Sequence, residues 1–332
     1  MSIEYLGILP QGDPLYQCLL DGHFSKGGRN GGGLPLYRVY RMNASNQVYV
    51  YEDIESGDRV VGKFFGPQNG SLPRAQQEFR NMCILRNLGF TAYPHYIARP
   101  LGYHTWLDDL LIQEYCEGQS LGSIIENSMA GGEYGSLYRA LQTLAHFLAT
   151  LHNRTAIDAG VDAWKDYHYL DNLLSSLVRN RDLPYDEGRI LSWMGEQWLA
   201  NPAMWEDVQV LVHGDATPGN FLVDHSFMIT AIDLERLQYR DRAYDLGRLA
   251  GELKHHFMNT LGNGNHAEPF IHYFLMEYAS HFPDRVSAFN SITRRLPFHM
   301  GLTLLRIARN SWLDRGYRLW LIDEATVILR TW

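Results

Sequence analysis

The sequence predicts an α+β protein, with a small antiparallel-sheet N-terminal lobe carrying one helix and a larger, mainly helical C-terminal lobe. Three observations predict it. Between Leu36 and Tyr115 the apolar residues come in short runs rich in Val, Tyr and Phe, separated by turn residues. Beyond Gly118 they fall instead at helical spacing. Inside that helical half, Leu211–Glu235 breaks the pattern with a strand, a sharp turn and two short apolar runs that read as a hairpin.

Taken in order, Tyr37–Met42, Gln47–Glu52 and Arg59–Phe65 are expected strands, with Glu55-Ser56-Gly57-Asp58 as the turn before the third. A helix is expected over Leu72–Asn87, where Pro73 suits the first turn and Phe79, Met82 and Cys83 share a face. Ile97–Tyr103 and Leu110–Tyr115 read as two further strands around Asp108-Asp109. Leu137, Leu141, Leu144, Leu148 and Leu151 then repeat at steps of four and three, the mark of a buried helix stripe. Segments near 243–260, 266–281 and 299–330 again read as helices. The lobes are drawn at 1–115 and 116–332, with 1–35 as an extra N-terminal segment. Its glycine-rich 27–33 stretch lacks the Gly-Lys-Ser/Thr ending of a phosphate loop, and no helix pattern follows it, so it reads as a flexible loop.

The composition narrows the function classes. Hydrophobic residues make up 45% and charged residues 20%, as in ordinary globular proteins. A formal net charge of −8 opposes general nucleic-acid or anionic-membrane binding. No signal-peptide pattern opens the chain and no apolar run approaches a membrane span. Cys18, Cys83 and Cys116 are odd in number and widely spaced, which suggests neither a disulfide framework nor a zinc site. A cytoplasmic location is expected.

Leu211–Glu235 carries the chemistry. Val208–Val212 reads as a strand delivering the turn His213-Gly214-Asp215, and the hairpin Phe221–Val223 with Phe227–Ile232 turns at Asp224-His225-Ser226. A hairpin returns its exit to the height of its entry, so Asn220 and Asp233 are expected side by side. An amide oxygen beside a carboxylate suits Mg²⁺, a hard cation that takes oxygen ligands. Asp215 would then be placed to accept a hydroxyl proton, and the chemistry suggested is γ-phosphoryl transfer from ATP. The phosphates need a cation. Lys63 sits mid-strand among apolar neighbours, which is costly unless it is paired, and Glu78, fifteen residues on along the expected helix, is the natural partner.

The ordered set His213-Gly214-Asp215, Asn220, then Ile232-Asp233-Leu234-Glu235 resembles the aminoglycoside phosphotransferase and choline kinase superfamily, small-molecule kinases with a two-lobed, protein-kinase-like fold. The resemblance implies that Asp215 is the catalytic base and that Asn220 and Asp233 hold the metal. It implies that His213 packs to support the catalytic loop, and that Asp245, in Tyr244-Asp245-Leu246-Gly247, braces it. It also implies a Ser45-Asn46 phosphate cover between the first two strands, and a hinge where the backbone of Glu114 and Cys116 meets adenine. Glu235 is left between a metal-water contact, a substrate contact and an ion pair with Arg236 or Arg240.

The expected partner is a small-molecule hydroxyl acceptor. From Ala156 to Val210 there are ten acidic and four basic residues, with Trp164, Trp193, Trp198, Trp205, Tyr167, Tyr169 and Tyr185 among them. Such a set could bind a cation through carboxylates and ring faces, or could equally be core aromatics with a solvated acidic face. An aminoglycoside, an amino alcohol such as choline or a sugar-like compound is the expected acceptor, and the ten basic against eight acidic residues of 245–332 weaken the case for the polycationic aminoglycoside. A protein kinase is opposed by the eleven residues between Asp233 and Asp245, too few for a long activation segment. A nucleotide-binding module without catalysis is opposed by the joint presence of Lys63, Asp215, Asn220 and Asp233.

Overall fold

The computed structural model describes residues 3–22, 34–42, 47–66 and 73–331. The glycine-rich 27–33 stretch and the Ser45-Asn46 pair lie outside the described residues. The chain divides into two compact units, residues 1–118 with 230–236, and residues 119–229 with 237–332. The smaller unit is therefore not contiguous in sequence, unlike a division at 115. A short segment late in the chain returns to it.

In the smaller unit, strands β1 (Ile3–Ile8), β2 (Tyr37–Met42), β3 (Gln47–Asp53), β4 (Arg59–Phe64), β7 (Pro100–His104) and β8 (Leu110–Glu114) form one six-stranded sheet. Its order is β1-β2-β3-β4-β8-β7, and all its pairs are antiparallel. Helix α1 (Pro14–Gly22) precedes β2, helix α2 (Arg74–Asn87) follows β4, and the short strands β5 (Thr91–Ala92) and β6 (His95–Ile97) follow α2. The N-terminal segment thus has a structural use. Strand β1 extends the sheet, and α1 buries Leu15, Tyr16 and Leu19 against Tyr37, Tyr51, Val60 and Ile112.

Strand periodicity then sorts the residues of β4. Val60 and Phe64 belong to the cluster under α1, so Val61 and Lys63 point to the opposite face. That face receives α2. The Asp109 carboxylate accepts from the backbone N–H of Arg74 (2.7 Å) and Ala75 (3.2 Å), which fixes where α2 begins. Pro73 stands just before the helix rather than in its first turn. The buried face of α2 is Ala75, Glu78, Asn81, Met82 and Leu85, while Phe79 and Cys83 are only half-buried. The expected apolar face is therefore displaced by one carrying two polar residues. The expected strand 97–103 is broken into β6 and β7, where Pro100 has no N–H to give a ladder.

The larger unit holds β9 (Gln119–Ser120), α3 (Leu121–Gly131), α4 (Gly135–Arg154), α5 (Ala163–Arg179), α6 (Tyr185–Ala200), β10 (Val210–Val212) and β11 (Phe221–Val223). The chain crosses to the smaller unit in β12 (Ile229–Ala231) and returns for β13 (Gln238–Arg240). It continues through α7 (Ala243–Leu261), α8 (Glu268–Ala279), α9 (Arg285–Thr293), α10 (Leu296–Ala308) and α11 (Arg315–Leu329). All five leucines of the stripe in α4 are buried. The expected 299–330 helix is two helices, because Asp314 caps a new start by accepting from the N–H of Tyr317 at 3.1 Å.

Helix α7 is the hub of this unit. It lies so close to α10 that a Cβ on Gly247 would sit 2.3 Å from His299 Cβ and 3.0 Å from its carbonyl carbon. Asp241 accepts from the N–H of Ala243 (2.8 Å) at the start of α7, and its other oxygen takes Arg295 Nε, also at 2.8 Å. Arg295 is fully buried and also reaches Asp207 at 2.5 Å. We expect Gly247→Ala to cost about 1–3 kcal/mol, the scale for overpacking. A thermal melt checks this, and an unchanged melting temperature would show that α7 and α10 can separate freely.

Candidate active site

In the smaller unit, Lys63, Glu78 and Asp233 come together. Lys63 Nζ donates to Glu78 Oε2 at 2.7 Å and to Asp233 Oδ1. It also lies 4.7 Å from the centroid of the Phe65 ring. Burial works against the ammonium, but the two carboxylates outweigh it and hold Lys63 above its ordinary value. Glu78 is tied a second time, its Oε1 accepting from the Leu234 N–H at 3.2 Å. Asn81, the other polar residue on the buried face of α2, donates to the Leu234 carbonyl at 2.7 Å. Leu234, the residue after Asp233, is thus clamped at both its N–H and its C=O by one helix. Asp233 itself has φ +61°, a left-handed conformation unusual for a residue with a side chain.

Of the two ion pairs considered for Glu235, the one with Arg236 is present at 3.8 Å, but the closer partner is Arg74 on α2, at 2.7 Å through Nη2 and 3.2 Å through Nε. Carboxylate oxygens of Glu78, Asp233 and Glu235 lie within 4.8 Å of one another, an all-oxygen donor set that suits a hard cation. At the end of β8, the Glu114 N–H already donates to the Arg99 carbonyl at 3.0 Å. Glu114 therefore reaches adenine by its carbonyl or not at all. Burial pushes the Cys116 thiol up to about 12, so it is neutral at ordinary pH.

In the larger unit, Asp245 organises the His213-Gly214-Asp215 turn. Its carboxylate accepts from the His213 N–H (2.7 Å) and the Gly214 N–H (3.0 Å), and lies 3.3 Å from His152 Nε2. Gly214 has φ +81°, which glycine adopts without steric cost. His152 Nδ1 in turn meets Tyr278 Oη at 2.8 Å. Burial would raise the Asp245 carboxyl, but the hydrogen bonds and charges of His152 and His213 outweigh that and hold it below its ordinary value. The His213 ring accepts from the Asp215 N–H at 3.3 Å and packs on Phe221 at 5.2 Å, a supporting position. Asn220 Nδ2 donates to the Asp215 carbonyl at 2.9 Å, so Oδ1 is the atom this amide presents to a cation. The turn expected at Asp224 is present, with the Asp224 N–H bonded to the Met228 carbonyl at 3.2 Å.

Sequence reasoning missed several of these groups. His152 sits beside the leucine stripe of α4, and a polar residue at the end of that stripe was the available signal. Arg248, one turn beyond Asp245 on α7, lies 3.6 Å from Asp215 Oδ1 and is buried. Nothing in its spacing marked it. The acidic stretch before β10 is consumed by ion pairs at five of its positions. Asp166 pairs with Arg240 (2.8 Å), Asp182 with Arg318 (2.5 Å), Asp207 with Arg242 (3.0 Å) and Arg295, Glu206 with Arg294 (2.5 Å), and Asp162 with Lys165 (4.0 Å). Trp198 is core, whereas Trp164, Trp193 and Trp205 are exposed. None of the described helices is long and apolar enough to cross a membrane.

A model of the phosphotransferase enzyme family matches residues 37–280. Among solved structures, the chain is similar to an ethanolamine kinase from Plasmodium vivax, with a TM-score of 0.61 and 15% identity over 96% of this chain and 88% of that one. It is similar to a choline kinase from Streptococcus pneumoniae at a TM-score of 0.58 and 16% identity, over 88% and 92% of the two chains. An ADP-bound aminoglycoside phosphotransferase gives a TM-score of 0.55 and 17% identity over 88% and 91%. No curated protein matches the chain in sequence.

Asp245 carries a pH prediction. Its folded pKa is depressed, so its stabilisation is present above the unfolded-chain value near about 4 and is lost as pH falls through the folded value. Asp245→Asn turns one of the two acceptor oxygens into an NH2 donor facing a backbone N–H, and should destabilise by about 1–3 kcal/mol at neutral pH. Denaturant melts from pH 7 down to 3 should show the variant's deficit shrinking in acid. A constant deficit would mean that Asp245 does not titrate differently in the folded chain.

Proposed function

Because the chain belongs to the phosphotransferase enzyme family, we propose that it transfers the γ-phosphoryl group of ATP, with Mg²⁺, to a hydroxyl of a small molecule. The observation that carries this reading is the buried Lys63 ammonium shared between Glu78 and Asp233. A burial this costly needs a use, and a fixed cation beside a cation-binding carboxylate is what a nucleotide triphosphate requires.

Asn220 and Asp233 are assigned as the metal ligands. The donors fit, since both offer oxygen and Glu78 and Glu235 add carboxylates around Asp233. When bound, Mg²⁺ supplies charge neutralisation on the phosphates. Lys63 would hold phosphate oxygens, with Glu78 keeping its ammonium on the sheet face. The Ser45-Asn46 pair is proposed to cover the phosphates, and the Cys116 backbone to meet adenine. Asp215 accepts the acceptor's proton. Its carbonyl is held by Asn220, and its turn by Asp245 through two backbone N–H groups, so the base is oriented before the acceptor arrives. His213 and Asp245 support and do not react. ATP use is in keeping with the family, and the structural relatives named for ethanolamine, choline and aminoglycosides support a small hydroxyl compound as acceptor.

Two measurements test this. Asp215→Asn should lower kcat by ~10²–10⁴ with nucleotide affinity retained, the scale for removing a general base. Near-normal turnover would sink the assignment. Asp233→Ala should abolish the Mg²⁺-dependence of ATP binding in calorimetric titration. An unchanged Mg·ATP affinity would remove Asp233 from the metal site.

A further inference from the structure

Resting on the kinase reading, we propose that Arg248 holds the acceptor hydroxyl against Asp215, and that the acceptor carries no positive charge beside that hydroxyl. A polyol, a sugar or a hydroxy acid fits this description. An amino alcohol or an aminoglycoside does not.

The argument begins with two polar atoms. Arg248 is 2% exposed, and its Nη1 has no hydrogen-bond partner among the described residues. Asp215 Oδ1 is likewise buried and without a hydrogen-bond partner among them. The two face each other at 3.6 Å, close enough to attract and too far to hydrogen-bond. A buried donor and a buried acceptor left in this relation are costly to each other unless something lies between them. Both atoms are closed to solvent as they stand, so the two side chains must part slightly to admit one oxygen, which at about 2.8 Å from each would complete both, accepting from Nη1 and donating to Oδ1. A hydroxyl group has this combination of one donor and free lone pairs. The pair is therefore a template for an alcohol oxygen, at the atom that takes its proton.

Arg248 is itself rigidly held. Its Nη2 donates to Tyr244 Oη at 2.9 Å, within the same helix that carries Asp245. In the transfer step the acceptor O–H bond breaks and its proton goes to Asp215 Oδ1. The freed electron pair forms the new O–P bond, and the bond from γ-phosphorus to the bridging oxygen breaks with its electrons leaving on ADP. Arg248 keeps the oxygen on line and gains nothing and loses nothing.

The charges around Arg248 argue the acceptor class. Glu252, one turn further along the same face of α7, is ion-paired with Arg306. Asp166 does not reach Arg248 but pairs at 2.8 Å with Arg240, the nearer of the two cations to the Tyr244 ring. The Tyr244 ring has the Arg240 guanidinium 4.0 Å and the Arg248 guanidinium 5.4 Å from its centroid, so its attraction for cations is used within the chain. An ammonium two carbons from the reacting hydroxyl would face Arg248 with these carboxylates already committed. That repulsion grows as water is excluded.

Water can stand in for the acceptor hydroxyl, so slow ATP hydrolysis tests the template with the full chain. Arg248→Met should lower hydrolysis about 100-fold with Mg·ATP affinity unchanged, the scale for losing one fixed donor. Added guanidinium chloride should restore part of it, and Arg248→Lys should fall between. Tyr244→Phe, which only loosens Arg248, covers the case in which Arg248→Met does not fold, and it should lower kcat without moving the ATP affinity. In a panel of glycerol, glucose and glycerate against ethanolamine, choline and kanamycin, the first three should stimulate ATP consumption. Stimulation only by the amino compounds, or hydrolysis within threefold of wild type in both Arg248→Met and Tyr244→Phe, overturns this inference and leaves the kinase reading standing. A wild-type chain that binds no Mg·ATP overturns the kinase reading as well.

Discussion

A single fully buried carboxylate, that of Asp245, fixes the larger unit. It takes two backbone N–H groups from the turn that carries Asp215, and it can do so only because α7 is held in place. The holding is electrostatic at one end and steric along the side. Asp241 caps α7 and is locked to the buried Arg295, a pair whose breakage would cost about 3–5 kcal/mol. Gly247 and Gly251 then let α10 close on the helix until His299 and Thr303 touch its backbone positions. Two devices that have nothing to do with chemistry thus set the position of Asp215.

The smaller unit solves a different problem, that of keeping a lysine inside a sheet. Alternation along β4 sends Lys63 to the α2 face, and α2 answers with Glu78. The same helix uses Asn81 and Glu78 to hold the Leu234 peptide, which fixes the neighbouring Asp233 in its left-handed conformation. One helix face therefore orients both the cation and the carboxylate assigned to the metal. Arg74 adds Glu235 to the same group.

How much of this could be read in advance depended on the kind of signal. Spacing marked Asp215, Asn220 and Asp233 as candidates, because turns and short hairpins impose fixed intervals on the chain. The Lys63–Glu78 pair was legible because an unpaired lysine in an apolar strand is a physical contradiction that demands a partner. Arg248 and Arg74 were not legible, since each pairs with an acid far along the sequence and arginines on helices are ordinary. The face of α2 was misread for a related reason. Asn81 looks solvent-facing until the Leu234 carbonyl that satisfies it, 153 positions away, is placed. The division of the acids before β10 was undecidable from composition, because a carboxylate waiting for a ligand and one paired to an arginine have the same letter.

The return of residues 230–236 to the smaller unit has a consequence for the order of events as the chain is made. Lys63 is synthesised 170 residues before Asp233, and Glu78 156 residues before Leu234. At ~5–20 residues per second, the nascent sheet spends roughly 10–30 s with its lysine bound to Glu78 alone and with that glutamate missing its backbone donor. The part of the protein that emerges first is thus completed only after residues 119–229 of the larger unit have been made, and a fragment ending near residue 118 would lack the segment that finishes its own interior.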